Sequence, residues 1–434
     1  MTTETDRHAT ARAFDETVVV GCGGVGLPFA VALAATGSAV LGVDIDPARV
    51  AALNAGRTDQ VDDGLESALR AAVEARALRF AEGISPSERR RAFVVAVPTP
   101  VDEQHRFDRS ALDGAVDAIV ANARDGDLVI VRSTVPVGTL RRIAASATAQ
   151  GRALAFAACP DRSTAGRALA EQRSLPNVVG GLTAEAATMA AALLAPLGRV
   201  RTVSRPETAE ALKLFTNVWR DARFALANEF ASFCERAGID YDEVRAAGTF
   251  AYPRFDIPRA GPVGGPCLTK DAYLLAASAN AVGATIDVAR AARRRNADLV
   301  DAICARVLAD VARQGGAATV AVLGLAFKGT PAVADRRGSL GVALVDALRA
   351  ASPALSLRAW DPVSDSPQAA RTAIGGATIV VLANDHPALA QASLLDGCAP
   401  GAVVHDLCGM LSPAHAKARG WTLRRFGDGR EGPQ

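Results

Sequence analysis

The sequence predicts an α/β fold in which two sheet-containing regions are joined by long helices. Short apolar runs rich in β-branched residues alternate with helix-length segments in the first half of the chain and again in its last third. Such alternation is typical of parallel sheets covered by helices on both faces. The region between them contains two long helical patterns. The length of 434 residues agrees with two or three domains.

The N-terminal region begins with a βαβ pattern. A short strand breaks into the turn Gly21-Cys-Gly-Gly-Val-Gly26, an apolar helix follows to about Thr36, and a second strand closes on Asp44. The strands predicted here are 17–21, 39–43, 93–97 and 128–131. We therefore expect residues 1–205 to form an N-terminal NAD-binding, Rossmann-like domain.

The two remaining regions are expected to be a helical spacer and a second Rossmann-like domain. Apolar residues recur at helical spacing over 206–237 and 284–314, with the Gly- and Pro-rich stretch 253–266 between them. We expect this central domain, 206–315, to provide the face of a homodimer. The C-terminal domain, 316–434, repeats the first pattern without a full glycine fingerprint. Its predicted elements are strands at 318–324, 355–359, 377–382 and 402–405 and a helix at 339–351.

Charge and cysteine content exclude several classes of protein. The 48 Lys and Arg residues nearly balance the 46 Asp and Glu residues, so no basic surplus indicates a nucleic-acid partner. The seven cysteines are scattered without metal-binding spacing, which predicts no metal site and reduced thiols. Residues 1–14 lack the apolar core of a signal peptide, and no apolar run reaches the roughly 20 residues of a membrane span. We therefore expect a cytoplasmic protein without a membrane partner.

The glycine-rich turn has the spacing of a dinucleotide site. Its first glycine allows a tight turn, its second lets backbone N–H groups approach a pyrophosphate, and its third packs helix against strand. A carboxylate at the end of the second strand accepts a hydrogen bond from a ribose 2′-hydroxyl and repels a 2′-phosphate. These features predict NAD; the alternative is a glycine-rich turn without a ligand. The predicted cofactor contacts here are Gly21, Gly23, Gly24, Val25, Gly26 and Asp44.

Two further loops follow predicted strands, Val97-Pro-Thr-Pro100 and Ser133-Thr-Val-Pro-Val-Gly138. Loops at the C-terminal ends of parallel strands line the crevice of an open α/β sheet. Thr99 and Thr134 are therefore candidates to border the nicotinamide. The alternative, that the prolines only shape the turns, is equally compatible with these loops.

Cys267 is a candidate nucleophile. It lies in the segment Gly261-Pro-Val-Gly-Gly-Pro-Cys-Leu-Thr-Lys-Asp271, where dense glycine and proline can expose a side chain. Cysteine is well suited to form a thiohemiacetal or thioester, and Asp271 follows by one helical turn. A buried structural cysteine is equally compatible with the local sequence.

Lys213 and Asn217 are four residues apart on the predicted central helix and hence share a face. An ammonium group and an amide there suit stabilisation of a developing oxyanion. Without further context, an exposed polar stripe is the simpler interpretation.

In their order along the chain, these segments resemble the UDP-glucose/GDP-mannose dehydrogenase family from about Thr17 to the last strands. Any one motif is modest evidence, whereas the shared order is specific. The matching elements are the cofactor turn at 20–28, VPTP at 97–100, STxPxGT at 133–139, ExxKxxxNxxR…ANE at Glu210, Lys213, Asn217, Arg220 and 227–229, GxGGxCxxxD at 261–271, LGLAFK at 323–328, and DxRxS at Asp335, Arg337 and Ser339.

The resemblance implies a nucleotide-sugar dehydrogenase that oxidises a C6 alcohol to a carboxylate in two NAD-dependent steps. It implies Cys267 as the nucleophile that forms the thiohemiacetal and thioester, and Lys213 as the cation that stabilises oxyanion intermediates. Asn217 and Asp271 would position and activate water or the substrate hydroxyl. The further residues it implies are Thr134 at the reaction centre, Arg337 near the cofactor, and Lys213, Asn217, Arg254, Gly264 and Lys328 as sugar-nucleotide ligands, with Arg254 reaching toward a neighbouring subunit's site.

Three features depart from the family pattern. Asp161, in Cys159-Pro-Asp-Arg162, stands where the family carries a glutamate that is thought to assist thioester hydrolysis. The missing methylene withdraws the carboxylate by roughly 1 Å, and a misplacement of that size can be costly. Asp161 is still predicted to take part, either through a water or because the backbone compensates for the shorter side chain. Pro266 replaces His or Ser before the nucleophile, and the loop before Asp335 is longer than the common form.

The favoured substrates are a UDP-hexose or a UDP-N-acetylhexosamine, with GDP-mannose less favoured. The CPDR segment and Arg220-Asp221 lean toward the N-acetylhexosamine. One alternative is a two-electron dehydrogenase of the 6-phosphogluconate or hydroxyacid type, which has no use for a cysteine nucleophile. Another is a catalytically impaired protein that binds NAD and a UDP-sugar.

Overall fold

The computed structural model describes residues 14–316 and 318–429 of the chain. The chain divides into two compact units, Met1–Phe215 with Tyr273–Ala284, and Thr216–Ala272 with Thr285–Gln434. The predicted α/β fold, with two sheets and a central helical region, is confirmed. The boundaries of the three domains stay a prediction. The predicted absence of a signal segment concerns residues 1–14, of which 1–13 lie outside the described part of the chain.

The first unit is built on an eight-stranded sheet. Its strands are Glu16–Val20 (β1), Val40–Val43 (β2), Leu78–Ala81 (β3), Arg91–Val95 (β4), Leu128–Val131 (β5), Ala155–Ala158 (β6), Asn177–Gly181 (β7) and Val200–Val203 (β8). The order is β3-β2-β1-β4-β5-β6-β7-β8, and β6 and β7 pair antiparallel while the other neighbours are parallel. The four predicted strands are present within two residues. The other four strands were not predicted; two of them, β3 and β8, are partly exposed strands at the edges of the sheet.

Helices cover both faces of this sheet. They are Gly26–Ala34 (α1), Pro47–Asn54 (α2), Leu65–Glu74 (α3), Ser110–Asn122 (α4), Thr139–Ala149 (α5), Ala168–Ser174 (α6) and Ala184–Leu194 (α7). Leu27 and Leu33 of α1 pack into the core on one face, and Leu112 and Ile119 of α4 pack into the core on the other. Because both faces are buried, the central strands are continuous apolar runs.

Five helices form the central region. They are Pro206–Ala237 (α8), Tyr241–Thr249 (α9), Leu268–Ala281 (α10), Asp287–Ala297 (α11) and Leu299–Arg313 (α12). The helix predicted over 206–237 is confirmed, and the pattern over 284–314 is two helices that meet at Asp298. In the second unit, Asp221 of α8 forms a buried ion pair with Arg293 of α11 at 2.8 Å. Arg293 also donates to the Leu268 carbonyl at 3.1 Å, which ties α8 and α11 to the start of α10.

The second unit contains a five-stranded parallel sheet with the order β10-β9-β11-β12-β13. Its elements are Thr319–Leu323 (β9), Leu340–Ala351 (α13), Ser356–Trp360 (β10), Pro367–Ile374 (α14), Ile379–Leu382 (β11), Val403–Asp406 (β12), Pro413–Ala418 (α15) and Thr422–Arg425 (β13). Asp361, after β10, accepts from the N–H groups of Leu325 and Ala326 at 2.7 Å. The carboxylate thereby closes the turn after β9. Among the described residues, no helix is both long and apolar enough to cross a bilayer.

Candidate active site

The predicted cofactor turn lies at the C-terminal end of β1. Gly21 has a φ of 92°, and a Cβ there would lie 2.7 Å from the Ala96 carbonyl oxygen. A Cβ at Gly26 would overlap the carbonyl oxygen of Gly21. At Gly23 and Gly24, by contrast, a Cβ would meet open space. The outer glycines are therefore required by the fold, and the inner two leave the backbone accessible to a group of the size of a pyrophosphate.

Asp44 is fixed beside this turn at the end of β2. Its Oδ2 accepts from the Cys22 N–H at 2.9 Å and its Oδ1 from the Asp46 N–H at 3.1 Å. The Arg49 guanidinium forms an ion pair with it at 3.2 Å. A carboxylate held at this place in a βαβ unit suits a ribose hydroxyl. The open glycines and the fixed acid are the features that a dinucleotide requires, so these residues fit NAD.

The two predicted loops after β4 and β5 lie side by side, because these strands are neighbours. The Ser133 hydroxyl donates to the Val97 carbonyl at 2.7 Å and joins the loops. Thr99 is buried and Thr134 is half-buried. The structure thus brings the predicted nicotinamide loops to the same sheet edge as the cofactor turn.

Asp161 follows β6 at the same edge and is enclosed by donors. Its Oδ1 accepts from Arg132 Nη2 at 2.8 Å and from Gln172 Nε2 at 2.9 Å. Its Oδ2 accepts from the Ser163 hydroxyl at 2.6 Å and the Ser163 N–H at 3.1 Å. Burial opposes ionisation, but Arg132, these hydrogen bonds and the charge of Lys213 together lower the pKa of Asp161. Asp161 is therefore an anion with four donors, and its predicted part in hydrolysis stays a prediction.

Arg132 and Lys213 complete this part of the first unit. Arg132 is 3% exposed and also contacts Asn177 Oδ1 at 3.1 Å and the Phe29 ring, 4.6 Å from its centroid. Sequence reasoning missed Arg132, although an apolar strand that ends on a cation was an available indication. Lys213 is 8% exposed and lies close enough to Asp161 to affect its pKa. The predicted exposed polar stripe therefore does not describe Lys213.

In the second unit, Cys267 is exposed immediately before α10. The N–H groups of Lys270 and Asp271 donate to its carbonyl oxygen at 3.2 and 3.0 Å and form the first turn of the helix. The thiol therefore lies at a helix N-terminus, where a negative charge is favoured. A buried structural role does not fit this exposure.

The loop before Cys267 requires glycine at two positions. Gly265 has a φ of 94°, and a Cβ there would lie 2.7 Å from the Phe327 ring. A Cβ at Gly264 would overlap the Gly338 carbonyl oxygen, which accepts from the Gly265 N–H at 3.0 Å. The segments after β9 and before α13 therefore pack directly against the cysteine loop.

Asn217 and Asp271 form one hydrogen-bonded unit. Asn217 Nδ2 donates to Asp271 Oδ2 at 2.6 Å, and Lys270 Nζ contacts Asp271 Oδ1 at 2.8 Å. Both predicted residues are buried, Asp271 being 1% exposed. Sequence reasoning missed Lys270. The available indication was its rarity, since the chain has 44 arginines but lysine only at 213, 270, 328 and 417.

The other predicted ligands lie in the second unit. The pKa of Arg337 is raised by its hydrogen bonds to Asp335 and, to a lesser extent, by the electrostatic effect of Cys267, so Arg337 lies near this cysteine. Lys328 Nζ lies 5.6 Å from the centroid of the Phe327 ring. Arg254 is exposed, and its guanidinium lies 4.8 Å from the centroid of the Tyr252 ring.

Comparison with known proteins identifies the family. Residues 15–198 match the NAD binding domain of the UDP-glucose/GDP-mannose dehydrogenase family, and residues 207–298 match its central domain. An NDP-N-acetyl-D-galactosaminuronic acid dehydrogenase of Ralstonia nicotianae is 32% identical over 85% of this chain and 90% of its own length. A UDP-N-acetyl-D-mannosamine dehydrogenase of Methanococcus maripaludis is 28% identical over 95% of this chain and 96% of its own.

A solved structure supports the same assignment. The UDP-D-ManNAc dehydrogenase of Pyrococcus horikoshii has a TM-score of 0.84 and 28% identity, and the match covers 96% of this chain and all of that one. The resemblance drawn from the motifs is thus confirmed, together with NAD as the cofactor. The chain belongs to the UDP-glucose/GDP-mannose dehydrogenase family of NAD-dependent oxidoreductases, which act on a CH–OH group of a nucleotide sugar.

Proposed function

We propose that this protein oxidises the C6 alcohol of a UDP-N-acetylhexosamine, or of a UDP-hexose, to the uronate through a thioester on Cys267. The observation that carries the proposal is the exposed Cys267 thiol at the start of α10, one turn before the Asp271–Asn217 unit. The names of the relatives, which are dehydrogenases of N-acetylhexosamine nucleotides, support this sugar class.

The proposed reaction removes two hydrides from one carbon and adds one water. NAD, when bound at the glycine turn, supplies the hydride acceptor for each oxidation. Between the oxidations, the Cys267 thiolate attacks the C6 aldehyde, and the new C–S bond gives a thiohemiacetal. Loss of the second hydride leaves a thioester. Water then breaks the C–S bond, which releases the carboxylate and returns the thiolate.

The remaining predicted residues have proposed roles that match their chemistry. Lys213 stabilises the negative charge that develops on the C6 oxygen in each step. Asn217 and Asp271 orient the hydroxyl or the water, and Thr134 borders the reacting carbon. The proposed ligands of the nucleotide sugar are Lys213, Asn217, Arg254, Gly264 and Lys328, while Thr99, Thr134 and Arg337 approach the cofactor.

The stoichiometry of NADH tests the proposal. UDP-activated N-acetylmannosamine, N-acetylgalactosamine, N-acetylglucosamine and glucose, and GDP-mannose, are each mixed with excess NAD, and NADH is counted per sugar consumed. We expect two NADH per sugar for one UDP-sugar. A ratio of one supports the two-electron alternative, and binding of NAD and UDP-sugar without turnover supports the impaired alternative.

Substitution of the nucleophile provides the second test. Cys267→Ser is expected to abolish acid formation while the protein stays folded. The loss is expected because a serine hydroxyl, unlike a cysteine thiol, does not ionise near neutral pH. Cys304→Ser is the matched control, since Cys304 is a buried cysteine on α12. The mechanism is refuted if Cys267→Ser forms acid at the wild-type rate.

We also propose a homodimer formed through α8. Trp219, Leu226, Phe230 and Phe233 are 64%, 50%, 41% and 65% exposed, and their spacing places them on one face of the helix. An apolar stripe of this kind marks an interaction surface. Trp219→Glu together with Phe233→Glu is expected to give monomers in sedimentation velocity, whereas a wild-type protein that is already monomeric contradicts the proposal.

We also propose a division into three domains and a cellular location for the protein. We infer the division into 1–205, 206–315 and 316–434 because each outer part contains one sheet and the middle contains long helices. We infer a cytoplasmic location because all seven cysteines are free thiols, as in reducing compartments.

A further inference from the structure

Glu210 of α8 is a buried acid that the proposed chemistry does not use. It is 1% exposed, and its two carboxylate oxygens accept from the N–H groups of Gly138 and Leu140 at 2.6 and 2.9 Å. These N–H groups belong to the first turn of α5, whose N-cap residue Gly138 offers no side chain. Helix N-termini need such acceptors, which a neighbouring side chain usually supplies. Here the acceptor comes from α8, about 70 residues along the chain.

The loop that enters α5 is held at further points. The Ser133 hydroxyl donates to the Val97 carbonyl at 2.7 Å, and the Val137 N–H donates to the Ser278 hydroxyl at 2.9 Å. Glu210 therefore holds the end of a loop whose beginning and middle are also anchored. Thr134 lies between these anchors.

We propose that Glu210 is a positioning residue that clamps the Thr134 loop to α8, one helical turn before Lys213. The proposal rests on the function proposed above and adds a residue to it. Thr134 lies in the loop before α5, and Lys213 lies on α8. The Glu210 side chain joins these two elements through its hydrogen bonds to Gly138 and Leu140. Displacement of a reacting group by about 1 Å can cost on the order of a hundredfold in rate.

The clamp depends on the charge state of Glu210. Burial raises the pKa of Glu210 to about 7, against the effect of its hydrogen bonds to Leu140 and Gly138. The other charged groups that act on it are Glu207 of α8 and Arg141 and Arg142 of α5. The ionised carboxylate accepts both N–H bonds, whereas a protonated oxygen is a poorer acceptor. Activity is therefore expected to rise as the pH passes through about 7.

The substitution Glu210→Gln tests the clamp, with Glu207→Gln as the matched control. Glu207 lies on the same helix and contacts the same α5, through Arg141 at 2.8 Å, but at the protein surface. For Glu210→Gln we expect a fall of roughly tenfold or more in kcat, a change of less than about threefold in the KM for NAD, and loss of the rise in kcat near pH 7. Hydrogen–deuterium exchange should be faster at residues 138–140. Glu207→Gln should keep wild-type values throughout.

A purely structural role would lower the melting temperature of Glu210→Gln without changing kcat or its pH profile, and that result overturns the proposal. If Glu210→Gln does not fold, Ser278→Ala loosens the same loop at Val137, and an unchanged kcat in that variant overturns it. The two proposals fail separately. One NADH per sugar in the wild type refutes the thioester route. Two NADH per sugar in the wild type, together with an unchanged kcat and pH profile in Glu210→Gln, refute only the clamp.

Discussion

Asp161 and Asp271 are both buried aspartates with a predicted part in thioester hydrolysis, yet their surroundings differ. Asp161 receives four hydrogen bonds, two on each oxygen. Asp271 receives one contact on each oxygen, from Lys270 and Asn217. A carboxylate has about four acceptor sites. Side chains and backbone of the described residues occupy all four at Asp161 and two at Asp271. The comparison favours Asp271 as the carboxylate that orients the water.

The side chain at position 161, shorter than the glutamate of the family pattern, lies among fixed donors. Gln172 of α6 and Arg132 after β5 converge on Asp161, and Ser163 closes the remaining side. An acid whose acceptor positions are filled by fixed donors cannot take a proton from water without first losing a donor. These contacts favour an electrostatic role for Asp161 beside Arg132 and Lys213, and its part in hydrolysis stays a prediction.

The largest effect is expected from Asp271→Asn. The amide cannot act as a base. It also places an NH₂ donor where a carboxylate oxygen of Asp271 accepts from Lys270 or Asn217. We expect kcat to fall by a factor of roughly 100 to 10,000, the range of general acid–base contributions. Steady-state kinetics measure it, and circular dichroism verifies the fold. A kcat within a few-fold of wild type would remove Asp271 from the comparison.

Asp161→Asn is expected to damage stability more than chemistry. Removing one partner of a buried ion pair leaves Arg132 uncompensated, which typically costs about 3–5 kcal/mol. Urea unfolding measures this loss, while kcat of the folded variant should change by less than about threefold. If kcat instead falls as far as in Asp271→Asn, the comparison is reversed and Asp161 is the hydrolytic residue.

Sequence reasoning proposed most of the residues of the candidate site but not this difference. It identified Asp271 because a motif and a helical spacing connect it with Cys267, and α10 does begin at Leu268. It could not foresee the donors of Asp161, since Arg132 and Gln172 lie 29 and 11 residues away and converge only through the sheet. Glu210 stood in a recognised motif without a role, because its partners are backbone N–H groups, which no residue pattern indicates.

The fold shows the same limit. The strands and helices that follow apolar periodicity were predicted within two residues, as for β5 and α8. The antiparallel pairing of β6 and β7 was not, because pairing direction depends on the route of the connection rather than on composition. The start of α10 was left open because the preceding glycines and prolines indicate only a loop.

Glu210 extends the comparison to a buried carboxylate whose pKa shifts the other way. Asp161 has a guanidinium partner and a lowered pKa. The donors to Glu210 among the described residues are backbone N–H groups, and burial raises its pKa from 4.5 to about 7. Between these pH values the unfolded chain has lost a proton that the folded protein keeps, so stability falls as the pH rises. The loss can reach about 3 kcal/mol.

Urea unfolding of the wild type and of Glu210→Gln between pH 4.5 and 8 tests this prediction. Across that range the free energy of unfolding should fall further in the wild type than in the variant. Above pH 7 the difference between the two free energies should be constant. Equal slopes for the two proteins would show that Glu210 ionises in the folded state as it does in the unfolded chain.

The smallest effect is expected from Lys270→Arg, which tests whether a lysine, rather than any cation, is needed to orient Asp271. Lysine is rare in this chain, so its presence beside Asp271 indicates a need for a compact ammonium group rather than for charge alone. Arginine keeps the charge but is larger and planar, and Lys270 is only partly exposed. We expect kcat to fall by roughly three- to tenfold, with Lys417→Arg on the exposed face of α15 as the neutral control. Wild-type activity in Lys270→Arg would mean that any cation suffices to orient Asp271, and that the smaller number of donors around Asp271, rather than the lysine, distinguishes it from Asp161.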